Sequence, residues 1–199
     1  MRVASAIVLV IVTASEFASV TSTGVGPQEP GSKRAQPLKQ ANPDRFALLR
    51  AFRGRWRGEG SGQPGKSRVE RTYEFVLRDR YLHVRNVSVY LPQEKNPKGE
   101  RHEDWGMFSY DATRTRLVLR QFHVEGFVNQ YVLDRASDDG KEMVFVSEAI
   151  ENIPAGYRAR ESYRFTNPDI FEETFELAQP GKDFEVYVRT KFTRAKPNP

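Results

Sequence analysis

Phe52-Arg53-Gly54-Arg55-Trp56-Arg57-Gly58-Glu59-Gly60-Ser61-Gly62 is the stretch on which the fold turns. Gly54, Gly58, Gly60 and Gly62 surround a single tryptophan. Glycine weakens a strand and marks a bend, a bulge or a close backbone approach. The stretch reads as the first strand of a small closed barrel, bent at its start, with Trp56 plugging one end. On its N-terminal side, Asn42-Pro43-Asp44 is a helix start, with Asn as cap, Pro at the first helical position and Asp near the positive end. Phe46, Leu49 and Phe52 follow at three-residue steps. They predict one short helix of two to three turns that ends at Gly54.

On its C-terminal side everything reads as strand. Ten runs are predicted, near 54–62, 67–78, 80–90, 101–110, 114–122, 126–134, 141–150, 156–166, 169–178 and 183–194. Turn chemistry separates them, as in Gly62-Gln63-Pro64-Gly65, Asp138-Asp139-Gly140 and Pro180-Gly181-Lys182. The late strands alternate most cleanly. Tyr157, Ala159, Glu161, Tyr163 and Phe165 oppose Arg158, Arg160, Ser162 and Arg164. Such a period of two belongs to strands with one buried face. Short links and the lack of a βαβ pattern predict an all-β, ten-stranded, up-and-down antiparallel barrel with one short N-terminal helix. Closure removes exposed edges. A β-sandwich is the competitor, and its crossings need longer connections. Barrels of about eight strands are filled by side chains or hold one small ligand, so ten strands imply a cavity.

Composition narrows the setting. Aromatic residues make up 12% of the 199, which favours strands. The net charge of +5 is scattered, with no Lys/Arg block longer than two. A nucleic-acid footprint needs a clustered stripe, so no nucleic-acid partner is expected. There is no cysteine, which excludes disulfides, thiolate metal sites, a cysteine nucleophile and a lipid-anchored lipoprotein. Residues 1–22 read as a signal peptide: Arg2, then the apolar run Val3 to Ala14, then small residues. The run is too short to span a bilayer, and an uncleaved anchor is the alternative. The expected location is therefore periplasmic or secreted, with no membrane span after cleavage. Residues 23–41, rich in Gly, Pro, Gln and Ser, read as a disordered linker. The barrel domain is placed at 42–196.

The Gly-x-Trp-x-Gly-x-Gly pattern after a short helix resembles the nitrobindin-type haem-binding β-barrels, relatives of the fatty-acid-binding proteins and lipocalins among the calycins. Glu103-Asp104-Trp105-Gly106, Gln121-Phe122-His123-Val124-Glu125-Gly126 and Ser147-Glu148-Ala149-Ile150-Glu151-Asn152-Ile153-Pro154 resemble a group of uncharacterised bacterial proteins of the same barrel type. The resemblance covers about residues 45–194. It implies a calycin-like barrel and haem as a candidate cofactor. Nitrobindin-like proteins hold haem through a last-strand histidine, and the last strand here has none. Tyr187 stands at about that position and Tyr ligates ferric haem, but its parity is that of the polar face.

Several residues invite a role. His123 shares parity with Leu117, Leu119 and Gln121 and points inward, either as a ligand-facing group or as a satisfied wall histidine. Glu161 and Glu173 sit on otherwise apolar faces, where a carboxylate is costly without a partner. They form either a structural ion-pair or Tyr/Arg network or a ligand-orienting, acid/base pair. Gln121, His123, Asn129, Tyr131, Glu161, Tyr163 and Glu173 could line one polar side of a pocket, with Trp56 as a further candidate. Tyr187 and His123 are the candidate haem ligands. Trp56 and Trp105 both read as plugs. His102-Glu103-Asp104 reads as a solvent-facing polar cluster. His83, His102 and His123 show no metal-ligand spacing, so no metal site is assigned. The expected function is an exported barrel that sequesters a hydrophobic or amphipathic small molecule, haem among the candidates. The alternatives are an enzyme using the inward carboxylates and His123 for acid/base chemistry, and a non-binding structural module.

Overall fold

The computed structural model describes residues 44–196. The expected signal peptide (1–22), the linker (23–41) and the cap at Asn42-Pro43 lie outside the described residues.

The chain enters through a 3-10 helix, Ala47–Phe52, rather than the longer helix expected to run to Gly54. Asp44 sets this start: its carboxylate accepts from the Phe46 backbone N–H at 3.0 Å, and its carbonyl accepts from Ala47 N–H. Ten strands follow: β1 (Gly54–Gly62), β2 (Gly65–Val76), β3 (Tyr81–Tyr90), β4 (Glu100–Asp111), β5 (Arg116–His123), β6 (Val128–Ala136), β7 (Glu142–Glu151), β8 (Arg158–Asn167), β9 (Ile170–Ala178) and β10 (Glu185–Arg194). Each pairs antiparallel with its sequence neighbours, and β10 returns to β1 to close the barrel. Among the described residues no helix is long and apolar enough to cross a membrane.

Closure rests on the glycines of β1. A Cβ added to Gly58 would lie 2.8 Å from the Phe192 ring and 2.7 Å from Thr190. One added to Gly62 would lie 2.0 Å from the Tyr187 carbonyl oxygen. The missing side chains let β10 settle against β1. Arg194, at the end of β10, finishes the seam. Its guanidinium donates to the carbonyls of Ala51 and Arg53, groups the helix end leaves unpaired, and lies over the Trp56 ring at 4.2 Å.

The interior has two halves. One is solid: Phe46, Leu49 and Phe52 of the entry segment close the end, and Trp56 donates its indole N–H to the Phe52 carbonyl at 2.6 Å. Phe52 meets Tyr73, Tyr163, Phe165 and Phe171 ring to ring at 4.9–5.2 Å between centroids. Phe171 stacks in turn on Phe192. Edge-to-face and offset contacts of this kind add roughly 0.5–1.5 kcal/mol per pair beyond area burial. The other half is hollow, and there the inward parity changes from aromatic to polar.

Candidate functional site

The hollow half holds a cavity of about 590 Å³ that reaches the surface beside the exposed residues Glu100, Glu125 and Pro154. Its floor is a layer of buried polar side chains. β2 supplies Arg71, which lies over the Phe192 ring at 4.5 Å. β9 supplies Glu173, which takes Arg71 in a two-pronged pair at 2.6 and 2.9 Å. Arg71 also donates through Nε to Asn86 Oδ1 at 2.8 Å and through a terminal nitrogen to Tyr73 at 3.2 Å. Charge burial is costly unless the charge is paired and its donors are met; here all three guanidinium nitrogens have partners, which take four of the five N–H donors. Asn86 passes the network on, donating to Asp104 Oδ2 at 2.7 Å.

Glu161 stands apart from that pair. Its carboxylate accepts from the Tyr163 hydroxyl. Burial, reinforced by the charge of Glu173, pushes its pKa up to about 8, against the opposing pull of Tyr163 and Arg71. Asn129 donates to the Tyr131 hydroxyl at 2.9 Å. Among the described residues, three buried polar atoms have no protein partner: Ser67 Oγ, Gln121 Oε1 and Asn129 Oδ1. All three residues line the cavity.

A second cluster forms where β4 pairs with β5, because the register sets Asp104 opposite His123. His102 Nε2 lies 3.4 Å from Asp104 Oδ2 and 3.5 Å from His123 Nδ1. The far nitrogens of both rings are engaged, His102 Nδ1 by Glu125 at 2.8 Å and His123 Nε2 by Asn129 at 3.2 Å. Burial opposes charge on His102, but the carboxylates of Asp104 and Glu125 outweigh it and raise its pKa to about 9. Burial takes His123 the other way, down to about 4, against the pull of Asp104. Phe127 stacks on the His123 ring at 4.0 Å.

Of the residues singled out from sequence, Gln121, His123, Asn129, Glu161, Glu173 and Tyr187 line the cavity. Tyr131 and Tyr163 sit just behind the wall and hold Asn129 and Glu161. Trp56 does not reach the cavity; it is sealed in the solid half. Tyr187 reverses its expected parity because β10 bulges between Val186 and Val188. The bulge turns the phenol toward Phe175, another lining residue. Trp105 is no plug: it is 54% exposed on the outer wall, edge-on to His83. The His102-Glu103-Asp104 stretch is not uniformly solvent-facing either, since Asp104 is buried and both His102 and Asp104 line the cavity. Arg71 and Asn86 escaped the sequence reading. The available signal was their parity, which they share with Val69 and Tyr73 and with Val84.

No family model matches this chain, and no curated protein does. Solved structures do. The crystal structure of Rv2717c from M. tuberculosis superposes with a TM-score of 0.59 at 17% identity, covering 76% of this chain and 98% of that one. A de novo designed fluorescence-activating β-barrel is a looser likeness, with a TM-score of 0.39 at 12% identity over 73% of this chain and 94% of that one. The first likeness speaks to the barrel fold alone.

Proposed function

We propose that this barrel sequesters an amphipathic small molecule, its polar end on the floor and its apolar part against the upper wall. One observation carries the reading: half of the barrel is packed solid while the other half keeps a cavity of about 590 Å³ lined by polar groups without protein partners. A concave site with a few convergent polar groups is the expected form of a small-molecule pocket. Phe127, Ile150, Ile153, Phe175, Leu177 and Val188 supply the apolar wall.

The floor also selects the head group. A carboxylate needs a free cation, and Arg71 is already spent on Glu173, Asn86 and Tyr73. What remains open is chiefly accepting: Gln121 Oε1 can only accept, and beside it the Ser67 hydroxyl can accept or donate. The preferred head is thus a hydrogen-bond donor, an amine above all. Displacement of Nile red by octylamine and by octanoate tests this. The amine should compete at least tenfold better, and equal or reversed competition would overturn the assignment.

Haem, which the nitrobindin resemblance brings forward, fits these residues poorly. A buried ion pair and an amide layer occupy the floor where a flat apolar macrocycle would lie. Mixing haem with the protein should leave the Soret band that of free haem. Absence of a nucleic-acid partner and export from the cytoplasm complete the proposal. Export is supported by Arg2 and the apolar run from Val3 to Ala14. N-terminal sequencing of the protein recovered from its host, expected to start within residues 19–23, checks it.

A second reading has its own support. Glu161 and His123 face one cavity and are pushed in opposite directions, the carboxyl up and the imidazole down. Paired groups driven apart in this way suit acid/base chemistry. Turnover of a co-purified ligand that Glu161→Gln abolishes while binding survives would favour this reading over sequestration.

A further inference from the structure

We propose that His102, Asp104 and His123 form a site for a divalent first-row transition-metal ion, zinc being the best match, on the wall of the cavity. The ligand atoms already stand at coordination spacing. His102 Nε2 is 3.4 Å from Asp104 Oδ2 and 3.5 Å from His123 Nδ1, and all three atoms lie within 4.8 Å of one another. A tetrahedral ion with bonds of about 2.0–2.1 Å holds its ligand atoms about 3.3 Å apart. The three atoms converge on one point because each residue is held from behind. Glu125 accepts from the far nitrogen of His102. At His123 the Asn129 amide must turn about its last bond, so that its unpartnered Oδ1 rather than its Nδ2 meets Nε2; it then accepts from Nε2–H and frees Nδ1 for the ion. Asn86 steadies the Asp104 carboxylate at 2.7 Å. A metal-binding histidine commonly donates its second ring N–H to a carboxylate or carbonyl oxygen, which fixes its tautomer and orientation.

The donor set limits the ion. Two imidazoles and one carboxylate suit zinc, iron, cobalt or nickel rather than magnesium or calcium, which prefer oxygen. Three protein ligands leave a coordination position open, and here it faces the cavity that His102, Asp104 and His123 all line. Asn129, buried beside His123 with its carbonyl oxygen unpartnered, lines the same wall. The arrangement is invisible in sequence because its members sit on two strands and meet only through the β4·β5 register. The inference stands apart from the sequestration reading, since an ion binds here with or without an organic ligand.

Titration of the metal-free full chain with cobalt chloride tests the site by its visible d–d absorption. Saturation at one equivalent is expected, and zinc should abolish the band. Asp104→Asn and His123→Ala should each weaken cobalt at least tenfold. Asn86→Ala should cost about 10–100-fold, as loss of an orienting partner does. His83→Ala, on the outer wall, should change nothing. Near-UV circular dichroism of the aromatic half confirms folding of each variant, and the near-isosteric Asp104→Asn carries the test if His123→Ala unfolds. A missing cobalt band in the folded wild-type chain, or folded Asp104→Asn binding as tightly as wild type, overturns the proposal.

Discussion

The charge of Arg71 is already matched by Glu173, and four of its five N–H donors have partners. Its nitrogens meet Glu173, Asn86 and Tyr73, and its flat face meets Phe192. The residue therefore acts on the floor as structure, and its loss should be felt as stability. Removing one member of a buried pair costs about 3–5 kcal/mol because the other is stranded. Arg71→Met should lower unfolding free energy in urea by about that amount, and Arg71→Met with Glu173→Leu should recover most of it. Glu161 poses a different case. Its native pKa of about 8 lies above the unfolded carboxyl value of about 4.5, so the native state holds a proton that the unfolded state gives up. The stability it contributes is whole below about pH 4.5 and falls as pH rises to about 8. Glu161→Gln should flatten that part of the pH–stability curve, and an unchanged slope would show that the carboxyl ionises freely in the fold. Both glutamates were legible in sequence as carboxylates on apolar parity. Arg71 was not, because Lys66, Arg68, Glu70 and Arg71 alternate so densely that one inward charge disappears among outward ones.

At the scale of the strand, legibility follows turn chemistry. Pro-Gly, Asp-Gly and Asn-Pro breaks placed all ten strands to within about two residues. Two things escaped. The entry helix tightens to a 3-10 turn because Asp44 folds its carboxylate onto Phe46 N–H, and it starts four residues later than expected. The β10 bulge moves Tyr187 inward, and a bulge leaves no mark in an alternating pattern except a break in it. Its cause lies on the partner strand. Gly62 is where β1 closes on the bulge, with the Tyr187 carbonyl in the space a side chain would need. That carbonyl also accepts from Gln63 N–H at 2.8 Å. Gly62→Ala should therefore push β10 away, at a cost of about 1–3 kcal/mol. Thermal unfolding followed by circular dichroism should show the loss as a lowered melting temperature, and an unaltered melting curve would mean the seam yields freely.

For the whole molecule, the division of the barrel into a packed half and a hollow half separates stability from binding. Closure was foreseeable from strand count and short links, and so were a void and several of its lining residues, but its place along the barrel axis was not. The large aromatic side chains of inward parity belong to the packed half, where Phe52, Phe108, Phe145, Phe171 and Phe192 fill the space. Parity tells which residues face in, not how far along the axis they lie, so it cannot tell floor from plug. The division makes a two-way prediction. Phe171 lies in the packed half, in ring contact with Phe52, Trp56 and Phe192. Phe171→Ala should cost about 3–5 kcal/mol and leave the affinity for Nile red within about threefold while the protein stays folded. Ala159 lies on the cavity wall, buried, with its backbone N–H held by Ser147. Ala159→Phe places a ring in the cavity, so it should weaken Nile red at least tenfold and move the melting temperature little. Equal loss of binding in both variants would mean that the dye reports global opening rather than a cavity, and the separation of the two halves would fail with it.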